Sequence, residues 1–343
     1  MPENPEQPFF YREFNLFFKV EDLVLSRVFG RVNLFFLISG FAVSTHACDL
    51  CAVYSATQAH GEIGKGFFGG VAEQFTHFGT IQQDGREVRN ETGQYLDSSI
   101  SQFYAGYNFN DRVGLQFNLP VIYRSFKRPE GFATDRDTES GLGDVALLGH
   151  LRAYQHETKQ FTFAWSIIGG VKFPTGSSDR IKEELNEIEI FGAPESGIHG
   201  HDLALGTGSY DGIVGTGIFL RYQRVFLTAN TQYAIRSTGN FDYRYADDLT
   251  WSGGPGVYLL LEDNATVSLQ LVVSGERKKL DTFQGSVAAD TGITSVYLGP
   301  QINFTWSEKF SAEIGADLPV SIDNTALQTV PDYRIRAGIT YRF

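Results

Sequence analysis

Two short clusters in this sequence carry residue types that do chemistry. His199-Gly200-His201-Asp202 sets two imidazoles two residues apart beside a carboxylate, donors that suit a divalent metal. A metal site needs a third convergent ligand, and the sequence identifies none, so the plainer reading is an exposed polar loop. Cys48-Asp49-Leu50-Cys51 permits a small disulfide ring, a thiolate pair for a metal, or a redox couple. It has no strand–helix context of the thioredoxin kind and no second CxxC to complete a zinc site. A lipid-modified Cys48 is a further option, although Thr45-His46-Ala47 lacks the aliphatic residue such signals carry. A structural disulfide between Cys48 and Cys51, or two plain thiols, is the expectation. Catalysis finds less support. There is no Gly-x-Ser-x-Gly elbow, no Lys follows Gly206-Thr207-Gly208-Ser209 as a phosphate loop requires, and His150 is a lone histidine on an inward-facing set. No enzyme activity and no cofactor are expected.

The elements that position these residues are strands. The 343 residues include 37 glycines, 29 phenylalanines and 16 tyrosines, yet only 20% are charged. That profile suits many aromatic strands joined by glycine-rich turns. The formal charge of −12 excludes a general nucleic-acid binder, which needs a basic footprint. The one long apolar run, Val32 to Val43, follows Arg27 and Arg31 and is too short to span a bilayer. It has the form of a secretory signal, with cleavage expected after Ala47. Residues 1–23 are too acidic for a signal's first region, so they read as an extended or mis-called start. The expected organisation is a signal segment over 1–47, a periplasmic segment with the CxxC over 48–65, and a barrel over 66–343.

From Gly66 onward apolar and polar residues alternate with period two, clearest in Val113, Leu115, Phe117, Leu119, Val121 and Tyr123. Twelve strands are expected, near 66–81, 95–109, 112–127, 141–155, 161–173, 208–222, 224–236, 248–261, 265–277, 292–306, 310–321 and 332–343. Five short turns alternate with six long polar loops at 82–94, 128–140, 174–207, 237–247, 278–291 and 322–331. An even strand count with short turns at one end and long loops at the other predicts an all-β, antiparallel transmembrane barrel, because in lipid every backbone group needs a partner and the sheet must close. Such a barrel implies outer-membrane lipid around it and a small solute within it. The last strand ends in Tyr341 and Phe343, like the signal read by the bacterial barrel-assembly machinery.

If the apolar set faces lipid, its neighbours face the lumen. They are Arg124, Arg152, Lys172, Arg221, Arg236, Arg334 and Arg336, against Asp144, Glu276, Glu313 and Asp317. An excess of cations would steer anionic solutes. The competing reading pairs these charges across strands, Glu313 and Asp317 with Arg334 and Arg336 in particular, and plugs the barrel. In the third loop, Ile181, Leu185 and Ile188 share one helical face between Ser178 and Ile190, which predicts a short acidic helix over or inside the mouth, or merely on its surface.

Several stretches together resemble a known family. Gly141-Leu142-Gly143-Asp144 opens a strand, Phe173-Pro174-Thr175-Gly176 closes one, Leu205-Gly206-Thr207-Gly208-Ser209 precedes another, and Tyr341-Arg342-Phe343 ends the chain. This set is similar to the outer-membrane transporter family named for the meta-cleavage pathway of phenol degradation. The Cys-Asp-x-Cys motif resembles a branch of it. The resemblance, across about 66–343, implies a barrel admitting small, often aromatic, compounds, with no catalytic residues to carry over. Three functions follow as expectations: a passive channel for small solutes, anionic or aromatic compounds among them; a non-conducting barrel serving structure or surface interaction; and metal handling through Cys48, Cys51, His199 and His201.

Overall fold

The computed structural model describes residues 65–185, 190–307 and 309–343. The signal segment, its cleavage after Ala47, and Cys48 and Cys51 lie outside the described residues. Twelve long antiparallel strands form the wall: β1 (Gly66–Gln83), β2 (Tyr95–Asn108), β3 (Val113–Glu130), β4 (Ala146–Glu157), β5 (Phe161–Lys172), β6 (Asp211–Tyr222), β7 (Val225–Ile235), β8 (Asp248–Glu262), β9 (Ala265–Lys278), β10 (Ile293–Trp306), β11 (Phe310–Asn324) and β12 (Leu327–Arg342). Each pairs with its sequence neighbour, and β12 returns to β1, with Phe68 opposite Arg342 and Gln83 opposite Leu327. Closure removes the exposed edge that an open sheet would leave unpaired.

The outer surface follows the period-two pattern. Leu115, Phe117, Ile167, Leu227, Ile302 and Ile339 are exposed large apolar side chains, as a lipid-facing band requires. Aromatic residues gather at the short-turn end. Phe67 packs on Tyr107 at 4.7 Å between ring centres, and Tyr341 meets Phe343 edge-on at 5.2 Å. Rings of this kind sit at a membrane–water boundary, where one side of the ring stays apolar and the other wet.

One glycine is set by a close approach across the wall. The Tyr104 hydroxyl reaches from β2 past β1 to donate to the Ile339 carbonyl on β12, 3.1 Å away. A Cβ at Gly70 would collide with both of those oxygens. Gly70→Val should therefore cost about 1–3 kcal/mol by overpacking. A lower temperature for loss of the heat-modifiable folded band in gel electrophoresis checks it.

The ends of the strands depart from the sequence expectation in two ways. β11 and β12 meet at a tight turn, Thr325-Ala326, where a long loop over 322–331 was expected, and β3 continues to Glu130 before folding back as Ala133–Leu142. These strands project beyond the apolar band into water. There both faces can be polar, so the alternation that marks a strand disappears although the ladder persists. Second, the expected strand 141–155 is broken. Ala133–Leu142 and β4 both pair with β3, and Gly143-Asp144-Val145 interrupts them. Ala133–Leu142 bonds to β3 on one side only, because β5 stops at Lys172, opposite Ala146.

Candidate transport pathway and its closing loop

The inward faces of the strands are not uniformly polar. Gln102, Gln116, Asn118, Gln270, Gln301 and Asn303 line the short-turn half. Toward the long-loop end the inward positions turn apolar, with Phe78, Leu96 and Phe126 forming one buried cluster and Ile100 and Ile122 another. The segment 173–210 lands on these clusters. Ile198 and Leu203, both fully buried, join the first, and Leu205 joins the second. Each such side chain contributes about 1.5–3 kcal/mol of burial. The third loop thus folds into the mouth of the barrel. Its helical part, Asp179–Leu185, is a 3₁₀ rather than an α-helix, with Ile181 buried against Tyr243 and Tyr245; Ile188 lies outside the described residues.

Ion pairs fasten the loop to the wall. Arg128 on β3 donates to Glu183 at 2.6 Å and to Asp135 at 3.1 Å. Arg180 within the loop donates to Glu139 at 2.6 Å, and both guanidinium groups lie 5.6 Å from the centre of the Phe126 ring. The loop backbone also enters the wall's hydrogen-bond system, where Thr329 N–H donates to the Gly197 carbonyl at 2.8 Å.

A single carboxylate gathers three sequence motifs. Asp144 Oδ1 accepts from the Gly176 N–H at 3.0 Å. Its Oδ2 accepts from the Thr207 N–H and hydroxyl, both at 2.9 Å, and from Lys172 Nζ. Lys172 also lies 2.8 Å from Asp211, which pairs with Arg236 at 3.0 Å, and Arg236 continues to Asp248. Gly-Leu-Gly-Asp, Pro-Thr-Gly and Gly-Thr-Gly-Ser therefore meet at the break after Leu142, where β5 ends and β6 begins. The glycines serve close packing: a Cβ on Gly141 or Gly143 would press on Leu205 or Ile122, and one on Gly206 would meet the Gly176 carbonyl and Asp144.

The residues expected in the lumen all fall on inward faces, and most are engaged. Lys172 and Arg236 belong to the Asp144 network. Arg336 pairs with Asp317 at 2.7 Å, as adjacent strands allow. Arg334 instead reaches past β11, lies 3.7 Å over the Tyr297 ring and pairs with Glu276 on β9 at 3.2 Å. Glu313 accepts from Gln301 at 3.1 Å, Arg221 donates to Thr162 at 2.8 Å, and Arg152 donates to Gln155 at 3.0 Å. Arg124 donates to the Ala204 carbonyl of the loop. The alternating cations are thus structural members of the wall and its closing loop. A count of charges could not show that, because pairing depends on which strands curve toward one another.

His199 and His201 do come together, as parallel rings 5.7 Å apart, but their nitrogens face carboxylates: His199 toward Asp290 at 3.2 Å, His201 toward Glu184 at 2.9 Å and Asp202 at 3.4 Å. Among the described residues no group of three or more His, Cys, Asp or Glu has the spacing of a metal site. Burial would depress His201, but Asp202, Glu184 and Asp290 outweigh it and hold the imidazolium well above its ordinary 6.5. Burial would raise Glu184, but His201 outweighs it and brings the carboxyl to about 2. The His201 share of loop docking is therefore complete below pH 6.5 and fades as pH rises through its raised value; the Glu184 share is complete above pH 4.5 and fades toward pH 2. Limited proteolysis of 178–205 should accordingly be slowest between those limits and accelerate at alkaline pH. His201→Gln should remove the alkaline acceleration.

The sequence reading missed an outward polar patch. On the lipid side of β1 and β2, Glu73 accepts from the Ser99 and Ser101 hydroxyls, and His77 meets Asp97 at 2.6 Å. The second ring nitrogen of His77 faces Asp332 at 3.7 Å, not a serine, so the patch does not form a nucleophile–base pair.

Between the loop and β2–β3 a cavity remains. Ile100, Pro120, Ile122 and Leu205 line it together with Arg124, Asp144, Lys172 and Arg236.

Comparison with known proteins agrees with this architecture. Residues 75–185 match the sequence profile described as "Putative MetA-pathway of phenol degradation", a narrower stretch than the resemblance across 66–343. No curated protein matches the sequence. Among solved structures, an outer membrane channel from Pseudomonas putida F1 superposes with a TM-score of 0.57 at 14% identity, covering 81% of this chain and 96% of that one. The translocator domain of the autotransporter NalP from Neisseria meningitidis gives 0.40 at 12% identity, covering 84% and 92%, too distant to bear on the argument. By fold this chain is a closed twelve-stranded barrel of the outer-membrane type, and over residues 75–185 it resembles the family of the phenol-degradation meta-pathway.

Proposed function

We propose that this protein is an outer-membrane channel for small solutes, closed at rest by the 173–210 loop. The observation that carries the reading is the combination of a lipid-type exterior with an inward-folded loop fastened mainly by ion pairs and hydrogen bonds around Asp144 and Arg128. A loop serving only surface contact would turn its apolar residues outward or lack them. This one buries Ile181, Ile198 and Leu203 inside the mouth. Twelve strands exceed the eight that side chains can fill, yet fall short of the water-filled sixteen-strand porins. The reading includes export to the outer membrane, with Tyr341 and Phe343 recognised by the assembly machinery, and no catalytic step.

A second reading, a non-conducting barrel, draws on the crossing of Arg334 over Tyr297 to Glu276, which fills part of the lumen. Conductance of the purified full chain in planar bilayers separates the two. The channel is expected to give brief openings in the full chain and sustained, larger steps in a form lacking the loop. Silence in the full chain and in a form lacking the loop would leave the structural role.

A further inference from the structure

Many polar side chains inside the barrel are paired with one another, but two neighbouring amides are not fully used. Gln102, on the inward face of β2, is fully enclosed, yet among the described residues neither its Oε1 nor its Nε2 has a hydrogen-bond partner. On β3, Asn118 is 1% exposed; its Oδ1 accepts from Gln116 Nε2 at 2.6 Å, while its Nδ2 has no partner there. Buried polar groups are almost always paired, because an unmet donor or acceptor has given up its water without return. The local sequence leaves Gln102 nothing to pair with. Its neighbours across the ladder are Ala72 on β1 and Pro120 on β3, neither with a polar side chain. Along β2 the next inward residues are Ile100 and Tyr104, and the Tyr104 hydroxyl is already engaged with the Ile339 carbonyl and Thr340. A leucine here would fill nearly the same volume without an unmet amide.

Gln102 lies one inward position from Ile100 toward the short-turn end, and Ile100 packs with Ile122 against Leu205 of the closing loop. That contact covers the amide in the closed barrel, and lifting the loop uncovers it. Asn118 stands diagonally across the ladder, within reach of the same guest. The pair offers one carbonyl acceptor and two amide nitrogens as donors. A hydroxyl, which both donates and accepts, matches that set. A carboxylate only accepts and would leave Gln102 Oε1 unmet; an ammonium only donates and would leave both amide nitrogens unmet. We infer that Gln102 and Asn118 form a solute-contacting station of the pathway, which receives the hydroxyl of a small neutral alcohol or polyol once it has passed the loop. A solute in a narrow lumen sheds part of its water, and wall groups that replace that water lower the barrier to its passage. The inference rests on the channel reading and deepens it by naming the class of solute and the residues that meet it.

The test uses the full chain and reads two fluxes: erythritol permeability by swelling of reconstituted vesicles, and potassium chloride conductance in planar bilayers. Gln102→Leu should lower erythritol permeability by about three- to tenfold, the worth of one neutral hydrogen bond, and leave conductance nearly unchanged. Gln102→Asn, which keeps the amide on a shorter stem, should fall between. The closed barrel does not use this amide, so Gln102→Leu should also hold or raise the temperature at which the heat-modifiable folded band is lost. Erythritol permeability indifferent to Gln102→Leu would overturn the assignment, and so would a fall matched by an equal fall in conductance. A lowered transition temperature would do the same, since it would mean that the amide is bound into the fold, as by a fixed water. Wild-type vesicles that take up erythritol no faster than protein-free ones would contradict the transport reading itself. Permeable wild-type vesicles whose uptake Gln102→Leu leaves alone would remove the station and spare the channel.

Discussion

Asp144→Ala should release the closing loop and raise the ionic conductance of the barrel. The substitution removes the acceptor for two loop N–H groups and one hydroxyl, and strips Lys172 of one of its two counter-charges in a site where Lys172 is 2% exposed. Breaking a buried ion pair by deleting one partner costs about 3–5 kcal/mol, because the remaining charge stays desolvated. The loss should appear as faster proteolysis of 178–205 and as longer or more frequent open intervals in bilayer recordings. Lys172→Met on the same background tests the electrostatic origin. Removing the stranded cation should recover part of the loss, and the double-mutant cycle should return a coupling of about 1–3 kcal/mol. Additive effects would mean that Asp144 acts through its backbone contacts alone.

The second large effect concerns the loop as a whole. Its two ends already touch, since the Gly206 N–H donates to the Ser177 carbonyl at 2.8 Å. Residues 178–205 can therefore be replaced by a short Gly-Gly connection without straining the Gly176 and Thr207 contacts to Asp144. Such a variant keeps the twelve strands and the ion-pair hub and loses Ile181, Ile198 and Leu203 from the mouth. The strand-to-strand pairing of the wall is kept, so the variant should still fold as a closed barrel, at a lower transition temperature for want of the buried loop side chains, whereas conductance should rise severalfold. These two variants separate fastening from plugging: the first loosens a plug that is still attached, and the second removes it.

Much of this architecture is legible in the sequence because the bilayer imposes a simple rule. Where Val113 to Tyr123 or Tyr333 to Tyr341 pass through lipid, each second side chain must be apolar, and the strands declare themselves. Beyond the band that rule lapses. The return strand Ala133–Leu142, with Thr134, Asp135, Arg136 and Asp137, reads as a polar loop although it is bonded to β3 throughout. The closing function of the third loop left a trace that parity alone could have exposed. Phe78, Leu96, Ile100, Ile122 and Phe126 stand at inward positions where polar residues would be expected, and their apolar character records the loop that covers them. The convergence of three glycine-containing motifs on Asp144 was beyond reach, because it depends on the break after Leu142 and on chain segments more than sixty residues apart. The pairing of Arg334 with Glu276 was hidden for a similar reason: curvature of the wall, not strand adjacency, brings them together.

Single-channel conductance of the loop-excised barrel against the full chain, in the same planar bilayers and salt, tests the central claim most directly. A severalfold larger step in the excised form, from a barrel that still gives the heat-modifiable folded band, is the predicted result. Equal conductance, or silence in both, would contradict it and place the closure of the lumen elsewhere than the 173–210 loop.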